Sequence, residues 1–174
     1  MAKSKQSDSF FLRIGLEMPT TTTYTQVEED LGAYVDALGK SVLRVHNIQV
    51  AYQDDAFPGK GPAASASGDD LNIGWQLTTQ SQSDLVQMDD KSVVSSGRLF
   101  TAKDAANQII VIDEFANVNP MDFTNGYLIA TESIYLAAKN AISTSATYKI
   151  SLILECTVEQ MDERAAMALA LSQQ

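Results

Sequence analysis

His46 and Cys156 are the side chains in this sequence best suited to nucleophilic or metal chemistry, and each is the only one of its kind. One thiol and one imidazole cannot complete the ligand set of a structural zinc site within a single chain. A Ser–His or Cys–His mechanism would have to run through His46, yet that residue falls mid-strand beside Arg44, and Cys156 is expected to face inward on the last strand. The acidic doublets Asp54-Asp55, Asp69-Asp70 and Asp89-Asp90 offer hard oxygen ligands, but none has the spacing of a calcium loop, so they read as solvated loop charge. Gly59-Lys60-Gly61-Pro62 lacks the spacing and the following helix of a phosphate-binding loop. Among 22 acidic residues carboxylate pairs arise by chance, and nothing selects one for acid–base work. The residues assign no catalytic, cofactor-binding or metal site: the chain reads as a non-enzyme without a cofactor.

The elements that would carry such side chains are strands. Tyr148, Ile150, Leu152, Leu154, Cys156 and Val158 alternate with Lys149, Ser151, Ile153, Glu155 and Thr157, so one face is core. Phe10, Leu12, Ile14 and Leu16 repeat the pattern and stop before Pro19 and four threonines. Between Ser41 and Gln53 the apolar phase runs Leu43, Val45 and then Ile48, Val50, Tyr52, a slip that predicts a β-bulge at His46-Asn47. Leu71, Ile73, Trp75 and Leu77 form another strand, entered from a Gly-, Pro- and Ser-rich loop over 54–70. Further strands are expected at 84–88, 93–100 and 108–116 and along 126–137, making about eight in a sandwich. The spacing of Val27, Leu31, Tyr34, Val35 and Leu38 is nearly helical, but Gly32 and β-branched neighbours favour an extended or bent segment.

The tail differs. Glu159 to Leu171 is rich in Ala, Met and Leu, and Thr157 with Gln160 resembles a capping box, so a short helix is expected. Met161, Ala165, Ala168 and Leu169 make one apolar face, and Met167, Ala170 and Leu171 a second. Such a helix can lie on its own sandwich or dock on a neighbouring subunit. In the second case Met161, Ala165, Met167, Leu169 and Leu171 are the candidate contact residues. The chain thus divides into a flexible polar arm over 1–9, a β-sandwich over 10–158, and a helix with tail over 159–174.

A length of 174 residues suits one domain, and 45% hydrophobic content supports a packed core. A net charge of -10 repels polyanions and anionic lipid, so neither nucleic acid nor membrane is an expected general partner. The one local exception is Lys3 with Lys5, a weak basic footprint in the arm. A single cysteine, the absence of a signal-peptide segment and the absence of a glycosylation sequon fit folding in cytoplasm.

Leu31-Gly-Ala-Tyr-Val-Asp36, Val42-Leu-Arg-Val-His-Asn47, Ala130-Thr-Glu-Ser-Ile-Tyr-Leu136 and the Ala-rich tail, in this order behind a short arm, resemble single jelly-roll capsid proteins of small environmental viruses, archaeal ones among them. The resemblance covers most of the chain. It implies an all-β antiparallel sandwich of jelly-roll type, many copies of which close a shell. It also implies a virion protein, folded in the host cytoplasm, whose partners are its own copies and other virion proteins. The acidic balance and the short basic arm depart from capsid proteins that neutralise a genome directly, so nucleic acid is expected to be touched weakly or indirectly. Two rival readings share the β-richness: a tail, baseplate or decoration protein of phage type, and a carbohydrate-binding or adhesin module. The latter would need Trp75 and tyrosines such as Tyr52 and Tyr127 exposed together.

Overall fold

A computed structural model of the chain describes residues 6–36, 40–66, 69–104, 106 and 108–174. Among these, the elements run β1 (Phe10–Met18), β2 (Thr25–Asp30), β3 (Ser41–Asp54), β4 (Leu71–Thr78), β5 (Val93–Lys103), β6 (Ile109–Val118), a 3-10 turn (Pro120–Asp122), β7 (Tyr127–Ile129), β8 (Ser133–Asn140), β9 (Tyr148–Gln160) and α1 (Glu163–Ser172).

The period-two segments become strands because each hides one face. Leu12, Ile14, Leu16 and Met18 of β1 are buried, as are Tyr148, Ile150, Leu152, Leu154 and Cys156 of β9. The two strands pair antiparallel from Phe10↔Cys156 to Met18↔Tyr148, which sets the buried residues side by side. Each such aliphatic side chain contributes roughly 1.5–3 kcal/mol on leaving water. A one-residue slip would turn the whole set outward.

The strands form two antiparallel sheets, β1-β9-β3-β7 and β2-β8-β4-β5-β6. Setting β6 aside, β1/β9, β2/β8, β3/β7 and β4/β5 are nested pairs assigned alternately to the two sheets. That order is the jelly roll. The protein is an antiparallel β-sandwich of jelly-roll type with a short C-terminal helix. Leu43, Val45 and Ile48 from one sheet meet Leu71, Ile73, Trp75, Leu77, Ile134 and Leu136 from the other. The phase slip in β3 is a bulge: Val45 pairs with Cys156 and Asn47 with Glu155, and His46 is the extra residue.

Three expectations change, and a fourth, the extended or bent segment after Tyr24, becomes specific. Residues 84–88 are not a strand, because both edges of β4 are occupied by β5 and β8. The segment instead lies over the outer face of β4, where the Gln76 side-chain amide accepts from Val86 N at 2.9 Å and donates to Val86 O at 3.4 Å. The mixed phases of 126–137 are two strands, β7 and β8, in different sheets. The helix begins at Glu163 rather than Glu159, because Val42↔Glu159 and Ser41↔Gln160 keep those residues in the β3–β9 ladder. Its N-cap is Asp162, whose carboxylate accepts from Arg164 N at 3.1 Å. The near-helical spacing after Tyr24 resolves into strand β2 and a single turn, in which Tyr34 N and Val35 N both donate to Leu31 O. Leu31 and Val35 enter the core there, and Tyr34 stacks on Phe10 with centroids 4.9 Å apart. Leu38 lies outside the described residues.

Candidate assembly surfaces

The bulge in β3 organises a polar node on the outer face of the first sheet. Arg44 grips Glu159 with two hydrogen bonds, Nε to Oε1 at 2.5 Å and Nη2 to Oε2 at 2.7 Å, and Nη1 donates to the Asn125 carbonyl. The Arg44 hydrogen bond holds the Glu159 carboxyl below its ordinary range, and nearby His46 acts in the same direction. His46 Nε2 lies 2.9 Å from Thr157 Oγ1, which also accepts from Gln6 Nε2 at 3.1 Å. Residues 6 and 7 of the polar arm thereby run beside the end of β9: Gln6 bridges Glu159 and Ser7 N donates to Val158 O. Gly126 closes the node. Its φ is +64°, and a Cβ there would come within 2.3 Å of the Val45 carbonyl oxygen, so the chain needs glycine beside the bulge.

This geometry separates His46 from Cys156. The imidazole reaches Thr157, whereas Cys156, one residue earlier on β9, is buried among core side chains. Burial pushes its thiol up to about 12, so it holds its proton and packs as an apolar group. The acidic doublets serve turns: Asp54 accepts from Ala56 N and Phe57 N, and Asp90 accepts from the Ser92 amide and hydroxyl. Asp70 accepts from Lys103 N at 3.4 Å. Among the described residues no group of three or more potential ligands converges on one point. Lys3 and Lys5 lie outside the described residues.

The aromatic side chains do not assemble into an exposed platform with Trp75, which is buried in the core. Tyr148 is buried too, its hydroxyl donating to Asn140 Oδ1. Tyr52 and Trp75 line an opening of about 210 Å³ between β3 and β6, together with Ile48, Glu114 and Asn119. That volume is smaller than the roughly 300 Å³ at which ligand pockets begin.

The candidate contact residues of the tail divide by face. Met161 and Leu169 pack with Ala166 on Val42, Ala130 and Leu128 of their own sandwich. Ala165 is half-buried, and Met167 and Leu171 are exposed. Gln173 locks the helix down: its side chain accepts from Ala130 N at 3.0 Å and donates to Leu128 O at 2.6 Å, and its carbonyl accepts from Thr79 Oγ1 and Gln80 Nε2. The inner face is therefore an intramolecular contact, and Met167 with Leu171 is the part of the set left open.

No family model matches the sequence, and no curated protein does. Among solved structures, similarity is found to dimeric latent PorU from Porphyromonas gingivalis, with a TM-score of 0.41, 9% identity, and coverage of 88% of this chain and 13% of that one. It is also found to a chain of Cocksfoot mottle virus, with a TM-score of 0.38, 10% identity, and coverage of 94% and 100%. A third is from Maize Chlorotic Mottle Virus, with a TM-score of 0.29, 11% identity, and coverage of 91% and 92%. The chain thus spans a small part of PorU and the full length of the Cocksfoot mottle virus chain. The fold assignment rests on the strand order of this chain itself.

Sequence reasoning missed the most exposed apolar surface. Ile109, Ile110, Val111 and Ile112 on β6 are 49%, 63%, 45% and 69% exposed. Their unbroken apolar run reads as a buried strand, and only its position at the end of the five-stranded sheet leaves it bare. Phe11 and Ile153 add apolar exposure on the outer face of the other sheet, and Met121 and Phe123 at the turn before β7.

Proposed function

We propose that this chain is a structural subunit that assembles with copies of itself into a viral shell, and that it performs no catalytic step. The observation that carries this reading is the spread of bare apolar side chains over separate faces of a rigid jelly roll: β6, the outer face of β1 and β9, and the outer face of α1. Uncovered apolar surface marks protein–protein contact, and a closed shell needs several patches per subunit where a ligand-binding module needs one cleft. The jelly-roll order, which viral shell proteins share with lectins and cupins, supplies the rigid sandwich that such contacts need. The virion is then its location, after folding in the host cytoplasm. A charge of -10 leaves genome contact to other virion proteins or to the arm that carries Lys3 and Lys5.

Size-exclusion chromatography followed by negative-stain imaging of the purified protein tests the proposal. Closed particles of uniform size are expected. Rings or tubes would favour the tail or baseplate reading, and a strict monomer at high concentration would remove self-assembly altogether.

A further inference from the structure

Strand β6 stands outside the nested pairs of the jelly roll. It pairs with β5 on one side, from Ser96↔Val118 to Lys103↔Ile109, and closes the five-stranded sheet. Across that ladder Ile112 is opposite Thr101 and Glu114 opposite Leu99, and Leu99 belongs to the core. Paired residues share a sheet face, so Ile112 stands on the core-facing side. It is nevertheless 69% exposed: the facing sheet, through Ile48 and Tyr52 of β3, reaches β6 at Glu114 and Ala116, whereas Ile112 stays open among the described residues. Ile110 is 63% exposed as well. The strand is thus open along its hydrogen-bonding edge and along its sides, in a segment of high β-propensity. The β5 ladder skips Ile110 and Asn117, so the edge is bulged at these two residues and regular between them; an edge of this kind templates another strand unless it is covered.

The charge pattern indicates what covers it. Asp113 and Glu114 follow the apolar stretch directly, on a chain of charge -10, which rejects both nucleic acid and an anionic bilayer as the occupant. A second β6 fits. In an antiparallel pair centred on Ile109–Ile112, the acidic ends lie at opposite ends of the contact instead of against each other. A parallel pair in register would stack Asp113 on Asp113. Antiparallel pairing of one strand with its own copy is an isologous contact, closed by a two-fold axis.

We propose that the open edge of β6 pairs antiparallel, across a two-fold, with β6 of a second copy, joining two five-stranded sheets into one. This inference deepens the self-assembly reading and rests on it. Because carboxylates flank the contact, added salt screens their repulsion and strengthens the pairing.

The test uses the full chain with single cysteines at Ile110, Val111 or Ile112, and with Phe57→Cys as a control at an exposed site outside β6, on the loop between β3 and β4; the native Cys156 is buried. Mild oxidation is expected to give covalent dimers from at least one of the three β6 variants, more at high salt, and none above background from the control. Adding Ile112→Lys to the better cross-linking of the Ile110→Cys and Val111→Cys variants should reduce its dimer yield at least about tenfold, and adding Ile112→Val should not. Particles without β6 cross-links, together with wild-type assembly of Ile112→Lys, would overturn the β6 pairing and leave the shell reading standing. Cross-linked dimers without particles would support the pairing and remove the shell. Monomers without cross-links would remove both.

Discussion

Two residues at the β3 bulge carry more of the stability than their surface position implies. Arg44 and Glu159 have side chains only 17% and 13% exposed, so removing one partner strands the other in a partly dry setting. Arg44→Met should cost about 2 kcal/mol, between the value of an exposed pair and that of a fully buried one. The sign of the pH dependence follows from the depressed Glu159 carboxyl. Its contribution is present above its ordinary value of 4.5 and is lost as pH falls through the lower folded-state value, because the unfolded chain takes up that proton first. Asp84, hydrogen-bonded to Lys139, and Asp90, hydrogen-bonded to Ser92, are lowered too and act with the same sign, below their own ordinary value of 3.8. Urea denaturation of Glu159→Gln between pH 3 and 7 should give a flatter acid limb than the wild type. Gly126→Ala at the same node forces a Cβ against the Val45 carbonyl at positive φ, and should destabilise by more than about 1 kcal/mol in the same assay.

At the scale of elements, α1 is held at both ends, by the Asp162 cap and by the four hydrogen bonds of Gln173. Gln173→Ala keeps the helix sequence but leaves Ala130 N–H and Leu128 C=O with their partners gone in a mostly dry site. A loss of roughly 1–3 kcal/mol is expected, and amide hydrogen exchange should quicken in α1 and around Leu128–Ala130 while β1 and β9 keep their protection. Deletion studies of the tail should begin at Glu163, since a cut at Glu159 also removes the Arg44 partner and the end of the β3–β9 ladder.

For the whole molecule, exposed Met167 and Leu171 lie on the side of α1 away from the intramolecular cluster. Met167→Glu with Leu171→Glu should leave the unfolding free energy from urea denaturation within about 0.5 kcal/mol of wild type. If the outer helix face is a subunit contact, the double variant should elute at smaller size than the wild type at equal concentration. Unchanged particles would restrict α1 to packing within its own subunit.

The two best-patterned strands, β1 and β9, and the bulge at His46 were legible in the sequence, because period-two burial and a change in its phase are properties of the local order of residues. The inward-facing position of Cys156 was legible for the same reason. Tertiary structure decided what depends on which edge is already taken. Residues 84–88 have strand-like composition, but both edges of the β4 strand they lie over are taken, so they cap Gln76 instead. Glu159 is helix-compatible but is held extended by Arg44 and the ladder to Val42. Ile109–Ile112 has the composition of a buried strand and is bare, since burial requires an opposing layer, and β3 reaches β6 only farther along, at Glu114 and Ala116. Local sequence determined which residues could hide a face; the order of strands in the two sheets determined which of them had something to hide it against.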